Sequence, residues 1–133
     1  MIFDSTNKFS TKQAVTATAE STNVIDLGVS LRDVGVGEPV RIIAIVEDAF
    51  AGLTSMAVSI ETSNVENFGS GVTTLVTSQA VPAASLVAGY AFPPIHLPKG
   101  IDGRYLRVNY TVVGTGTAGT VSTGVVMGHQ LND

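Results

Sequence analysis

The side chains able to titrate or attack are few and scattered. Two histidines occur, His96 in a proline-rich segment and His129 near the chain's end. Neither stands in the HxH or HExxH spacing that would bring two imidazoles onto one metal. Both are expected as surface histidines. Glu47 and Asp48 are adjacent at a predicted strand end. Neighbours on a strand point to opposite faces, so they form no paired acid/base site. Asp48 is expected to open a turn, DAFAG, with Gly52 at its far side, and Asp26, Asp33, Glu38 and Glu66 sit beside turn residues in the same way. No acidic residues alternate as in a calcium loop. Serines and threonines abound, yet no GxSxG elbow occurs. GTGTAG has the composition of a phosphate-binding loop but lacks the following Lys-Ser/Thr and any helix to follow. There is no cysteine, which excludes disulfides, thiol catalysis and cysteine-based zinc sites. No catalytic, cofactor-binding or metal residue is therefore nominated, and the chain is not expected to be an enzyme.

The remaining reactive-looking groups suit contact better than catalysis. Arg104 and Arg107 lie three apart on a predicted strand and so point to opposite faces. Arg104 stands at the strand's start, where its head can reach solvent or a carboxylate, with Asp102 close in sequence. A solvated surface pair contributes little. A buried or interfacial arginine would want a bidentate carboxylate. Ile2, Phe3 and Phe9 are large apolar groups on a segment without periodicity. They need cover, from the parent domain or from a neighbour.

The elements that must position these groups are strands. In RYLRVNYTVVGTGTAGTVSTGVVM, Leu106, Val108, Tyr110 and Val112 share one face, and Tyr105, Arg107, Asn109 and Thr111 the other. Val121, Thr123, Val125 and Met127 then alternate with Thr120, Ser122 and Gly124. Gly114, Gly116 and Gly119 lie between, so the segment reads as a hairpin of two strands around a Gly/Thr-rich reversal. Further strands are predicted at Gln13–Ala19, Val24–Leu27, Val40–Glu47, Met56–Thr62, Val72–Thr77 and Ile95–Leu97. Val40–Val46 is nearly all apolar, as in a central strand covered on both sides. Met56, Val58 and Ile60 form a dry face opposite a wet face of Ala57, Ser59 and Glu61. Pro93, Pro94 and Pro98 confine Ile95–Leu97 to a short edge strand, because proline cannot donate to a ladder. Helix is limited to a turn or two near residues 82–88. The expected fold is all-β: a jelly-roll-like antiparallel β-sandwich of about eight strands, one domain over residues 1–133, with residues 1–12 an extended arm.

Composition narrows the partners. Hydrophobic residues make up 44% of the 133, enough for a core, while charged residues are 14%, against about 25% in soluble proteins. The deficit fits either a surface made polar by Ser, Thr, Asn and Gln or one covered by another subunit. A net charge of −4 with scattered basic residues argues against nucleic acid. No apolar run of about 18 residues is present, so no membrane span is expected. The first ten residues, MIFDSTNKFS, lack a signal-peptide pattern, and synthesis and action in the cytoplasm, or release by lysis, is expected.

Three stretches together resemble the capsid cement, or decoration, proteins of tailed bacteriophages of the Bordetella-phage type. They are MIFDSTNKFSTKQAVTATAESTNVIDLG (residues 1–28), VPAASLVAG, and RYLRVNYTV with the Gly/Thr segment after it. The likeness spans nearly the whole chain and is most specific at its ends. It implies a jelly-roll-like sandwich on the outside of a virion capsid, cementing adjacent subunits of the major capsid protein and associating with copies of itself. Dimers and trimers are both geometrically reasonable. It implies no catalytic residues. The candidate interface contacts it marks lie in residues 1–9 and 104–110, namely Ile2, Phe3, Phe9, Arg104, Tyr105 and Arg107. Two other classes compete. A carbohydrate-binding or adhesin-like sandwich would stack sugars on aromatic faces, and the chain has no Trp and three Tyr. A cupin-like β-barrel enzyme would need a histidine-rich metal set.

Overall fold

The computed structural model describes residues 2–32, 34, 39–99 and 101–126. Met1, Asp33, Glu38, Met127 and His129, each part of an expectation above, lie outside the described residues. Eight strands follow in order: β1 (Phe3–Ala14), β2 (Ala19–Glu20), β3 (Ile25–Asp26), β4 (Arg41–Ser63), β5 (Thr73–Thr77), β6 (Val81–Pro82), β7 (Ile95–His96) and β8 (Tyr105–Val126). A single 3₁₀ turn, Ala83–Ser85, is the helical piece expected near residue 82. The fold is all-β, as expected, and antiparallel throughout.

The expected hairpin within residues 104–127 does not form. Residues 105–126 are one continuous strand, β8, and both of its arms pair with β4. The expected strands Val40–Glu47 and Met56–Thr62 are likewise one strand, and DAFAG runs through it without reversing. The two long strands pair from Arg41↔Val126 to Ser63↔Tyr105, with register shifts between Val46 and Ser55. Each shift is a bulge-like irregularity, which bends a strand and tightens its twist. Glycines make the bend possible. Gly52 adopts φ 84°, and a Cβ there would come within 2.8 Å of the Thr115 carbonyl oxygen. Gly119 adopts φ 127°, and a Cβ would run into the Phe50 ring. The glycines read as a reversal instead let two strands turn a corner together.

The bend divides one sheet into two facing layers. The first holds the start of β4 and the end of β8, flanked by β1 and β7; the second holds the end of β4 and the start of β8, flanked by β2, β3, β5 and β6. A common core lies between them. Phe9, Ile42, Val46 and Val121 come from the first layer, and Val58, Ile60, Leu106, Val108 and Tyr110 from the second. The period-two face of 106–112 is therefore the buried face. Ile42, Ile43 and Ala44 are all buried, as expected of a central strand. The wet face expected opposite Met56, Val58 and Ile60 is only partly wet, since Ser59 is buried and Glu61 half-buried. β7 is a two-residue edge strand among prolines, also as expected.

A buried hydroxyl chain ties the layers. The Tyr110 hydroxyl donates to Ser10 Oγ at 2.8 Å and lies 2.7 Å from Thr123 Oγ1. Ser10 Oγ donates to Gln13 Oε1 at 2.7 Å, and the Thr22 backbone N–H donates to the same oxygen at 2.9 Å. Burial pushes the Tyr110 phenol above its ordinary pKa, and the two hydroxyl contacts offset part of that rise.

Two substitutions check this core. Val108→Asp puts a charge on a fully buried position opposite Ile60 and is expected to abolish folding; a soluble, cooperatively melting variant would refute the face assignment. Tyr110→Phe leaves two buried hydroxyls short of a partner and should cost about 1–3 kcal/mol in urea unfolding. An unchanged midpoint would show that the hydroxyl chain does not bind the layers together.

Candidate functional site

The arginines expected as contacts sit where β8 enters the second layer. β3 pairs Asp26 with Tyr105, and this register, not proximity in sequence, decides the partner of Arg104. The guanidinium meets Asp26 bidentately, Nε to Oδ1 at 2.7 Å and Nη2 to Oδ2 at 2.8 Å. Asp102, the neighbour expected from sequence, is not the partner. Both side chains are a little under half exposed, so the pair fixes geometry more than it stabilises. The Arg104 hydrogen bond, helped by the Gly28 backbone N–H, holds the Asp26 carboxyl down at about 2. Arg104 is raised in return, chiefly by the same bond. A carboxyl depressed in the folded state favours folding above its unfolded pKa of 3.8, and that preference fades as pH falls through about 2. The bridge is thus intact at any physiological pH.

Arg107 is held differently. It shares the outer face of the layer with Tyr105. Its Nε donates to Glu61 Oε2 at 2.7 Å, while Nη1 lies 3.6 Å from Glu20 Oε1. Its guanidinium stacks 4.3 Å from the centroid of the Phe68 ring. The arginine and Glu61 side chains are only 16% and 12% exposed. Arg107 is therefore a clamp across β2, β8 and β4, and the exposed part of this face belongs to Tyr105 and to Arg104, whose guanidinium lies 5.2 Å from the Tyr105 ring and so reaches the face of Arg107, not the opposite one expected from alternation.

The apolar residues of the first strand part company. Phe9 is fully buried and joins the common core. It packs on its own domain, which removes it as a contact for another subunit. Phe3 covers its own sheet: a Cβ at Gly124 would lie 3.0 Å from the Phe3 ring. Ile2 is 68% exposed. Residues 3–12, read as an arm, form most of β1 and dock along the last part of β8. Near the start, Asp4 accepts hydrogen bonds from the Thr6 backbone and the Asn7 side chain. These lower its pKa.

Other exposed apolar groups went unnoticed in the sequence. Val29, Leu31, Val65 and Val72 are large and exposed. They sit on the segments joining β3 to β4 and β4 to β5. These segments leave the ends of the layers remote from the bend, the end at which Ile2 also stands. Residues from both layers meet there around an apolar cavity of about 260 Å³, lined by Phe9, Leu27, Val34, Ile42, Leu106 and Val125 among others. Leu31 is the most exposed of the set and adopts φ 58°, a conformation that costs a branched side chain about 1–2 kcal/mol. It is pinned there by its N–H to the Asp102 carbonyl at 3.1 Å. The only signal in the sequence was a pair of apolar residues among Gly, Ser, Arg and Asp, which alternation does not mark.

His96 is exposed on β7. Among the described residues no cluster of three His, Asp or Glu side chains is placed to hold a metal, and no helix is long and apolar enough to cross a membrane.

No curated protein matches the chain. A family model, Bbp16, matches residues 9–125. That span runs from the core residue Phe9 in β1 to Val125 in β8 and takes in every strand between. The chain belongs to the Bbp16 family.

Proposed function

We propose that this chain is a structural virion protein, one that binds the outer surface of a phage capsid and cements adjacent subunits of the major capsid protein. The family match carries the reading. Its name points to a Bordetella phage, in keeping with the likeness of residues 1–28 and 104–113 to phage cement proteins. The physical character of the molecule supports it. Ile2, Val29, Leu31, Val65 and Val72 give the end remote from the bend a set of exposed apolar tips. Apolar groups presented from a rigid sandwich suit an interface in which water is excluded around a few anchors. The bidentate Arg104–Asp26 pair beside them holds the loop after β3, so Leu31 is presented at little further cost in ordering. Many copies on one shell act together, so each contact can be modest while the sum resists outward pressure. Association of the subunits with each other forms part of the same reading.

The test mixes purified protein with expanded capsids that lack it and sediments them. Stoichiometric co-sedimentation is expected, and no binding to any shell of its own phage would end the proposal. A Val29→Ser, Leu31→Ser variant should keep its melting temperature and lose at least about tenfold in capsid affinity, since each anchor buries about 1.5–3 kcal/mol of side chain. Unchanged binding would place the contact elsewhere.

A further inference from the structure

The end that carries the apolar tips also carries an unmatched acid. Asp102 stands just before β8, and its backbone carbonyl accepts the Leu31 N–H at 3.1 Å. Asp26 and Glu61 are held by Arg104 and Arg107. Asp102 is exposed, and among the described residues its carboxylate meets no hydrogen-bond donor and no cation. Arg32, next to Leu31, donates to the Leu27 carbonyl at 2.9 Å instead. Asp102 lines a polar pocket of about 160 Å³ with Ser63, Asn64, Thr73 and Leu75 among others. Two of those groups are already engaged. Ser63 Oγ donates to the Ser70 carbonyl at 2.8 Å, and Asn64 Oδ1 accepts the Arg104 backbone N–H at 3.1 Å. The carboxylate is left to receive something from outside.

One wall of that pocket is β5. This strand ends the strand order, and among the described residues no segment pairs with its outer edge. Its sequence is TTLVT, with β-branched residues at four of its positions and no proline or charge. Exposed edges are ordinarily blunted by charge, proline or cover. The edge begins beside the exposed Val72 and runs toward the bend. An unpaired backbone edge is matched by another extended backbone, whose alternate side chains fall on one face of the sheet. Thr73 and Leu75, two apart, share the face that borders the Asp102 pocket.

We infer that β5 and the Asp102 pocket together receive an extended segment of the major capsid protein that carries a lysine or arginine. Its backbone adds to the β5 edge, and its basic side chain enters the pocket to meet the Asp102 carboxylate. The inference rests on the cementing role proposed above and names the chemistry of the partner there. Two observations select this occupant. The first is charge. An open carboxylate in a polar pocket is matched by a cation, and a chain of formal charge −4 draws basic segments toward itself. A second copy presenting the same TTLVT edge would bring no basic side chain to the pocket. The second is continuity. The pocket and the edge adjoin the tips Leu31 and Val72, so one partner segment can cover the tips while it pairs with β5. Backbone pairing then supplies affinity, and the pocket selects which segments are accepted.

The experiment uses the full chain and expanded capsids that lack it. On capsids, hydrogen exchange at the amides of residues 73–77 should slow about tenfold or more relative to the free protein. Asp102→Asn should keep the melting temperature, because the carboxylate holds nothing in the free protein, and should weaken capsid binding about tenfold. Added salt should weaken binding of the wild-type protein more than that of this variant. Glu47→Gln, the same loss of charge at an exposed position near the bend, should leave binding unchanged. Capsid-bound protein whose β5 amides exchange as fast as in the free state would overturn the inference and leave the cementing role standing. Undiminished binding by Asp102→Asn would do the same. Protection of those amides in the free protein, rising with its concentration, would assign the edge to a second copy and overturn the inference as well. No binding to any shell of its own phage would end the cementing role and the inference together. The exchange measurement needs only the wild-type protein, so it decides the matter even where a variant fails to fold.

Discussion

The unbroken pairing of β4 with β8 is the constraint from which the rest of the molecule follows. Two strands of more than twenty residues run side by side around a corner. A flat ribbon of that length would leave both faces wet. Bulges and left-handed glycines fold it so that one face turns inward along its whole length. Every other strand then has its place set by the free edge it meets. β1, β2 and β3 take the outer edge of β8, while β5, β6 and β7 take that of β4.

The core face was legible because burial imposes a period of two. Leu106, Val108 and Tyr110 declare it without reference to any partner. The path of the chain was not legible. Left-handed glycines serve a reversal and a bulge equally well, so Gly114 and Gly119 mark a special backbone without saying which. Only β4, far away in sequence, decides between them, since pairing both arms of β8 with one long strand satisfies more backbone than a short hairpin would. Phe9 misled for a related reason. It stands among Asn, Lys, Ser and Thr, and its burial depends on the second layer closing over it. The Asp26 partner of Arg104 was hidden by 78 residues of separation.

The two arginines show how similar residues come to different ends. Arg107 is set between Glu61 and Glu20 with an aromatic ring over it, and little of it meets solvent. Removing one member would strand a charge in a place poor in water, so the cluster is maintained by the cost of breaking it more than by any net gain. Arg104 is open to water and contributes little to stability. Its bidentate grip nevertheless fixes Asp26, which also accepts from the Gly28 backbone at 2.8 Å. The loop that presents Val29 and Leu31 starts from that fixed point.

Adjoining surfaces matter for a protein proposed to hold a shell together. The apolar tips lie at the end remote from the bend, and the open edge starts at that end and runs back along one side, so neither use obstructs the other. A coat strand on β5 and coat side chains on the tips would hold one subunit at two places. Once one contact is seated, the other faces its target at a high effective concentration, and overall affinity rises without any new contact. The gain exists only if the placement of edge and tips matches the arrangement of coat subunits. Rigidity then becomes a functional requirement: a flexible linker would forgive a mismatch, whereas a sheet continuous from a coat strand into β5 would not. The buried hydroxyl chain would serve function in this sense, by holding the two layers at one fixed angle, and the Arg107 clamp by locking β2, β8 and β4 within the second layer.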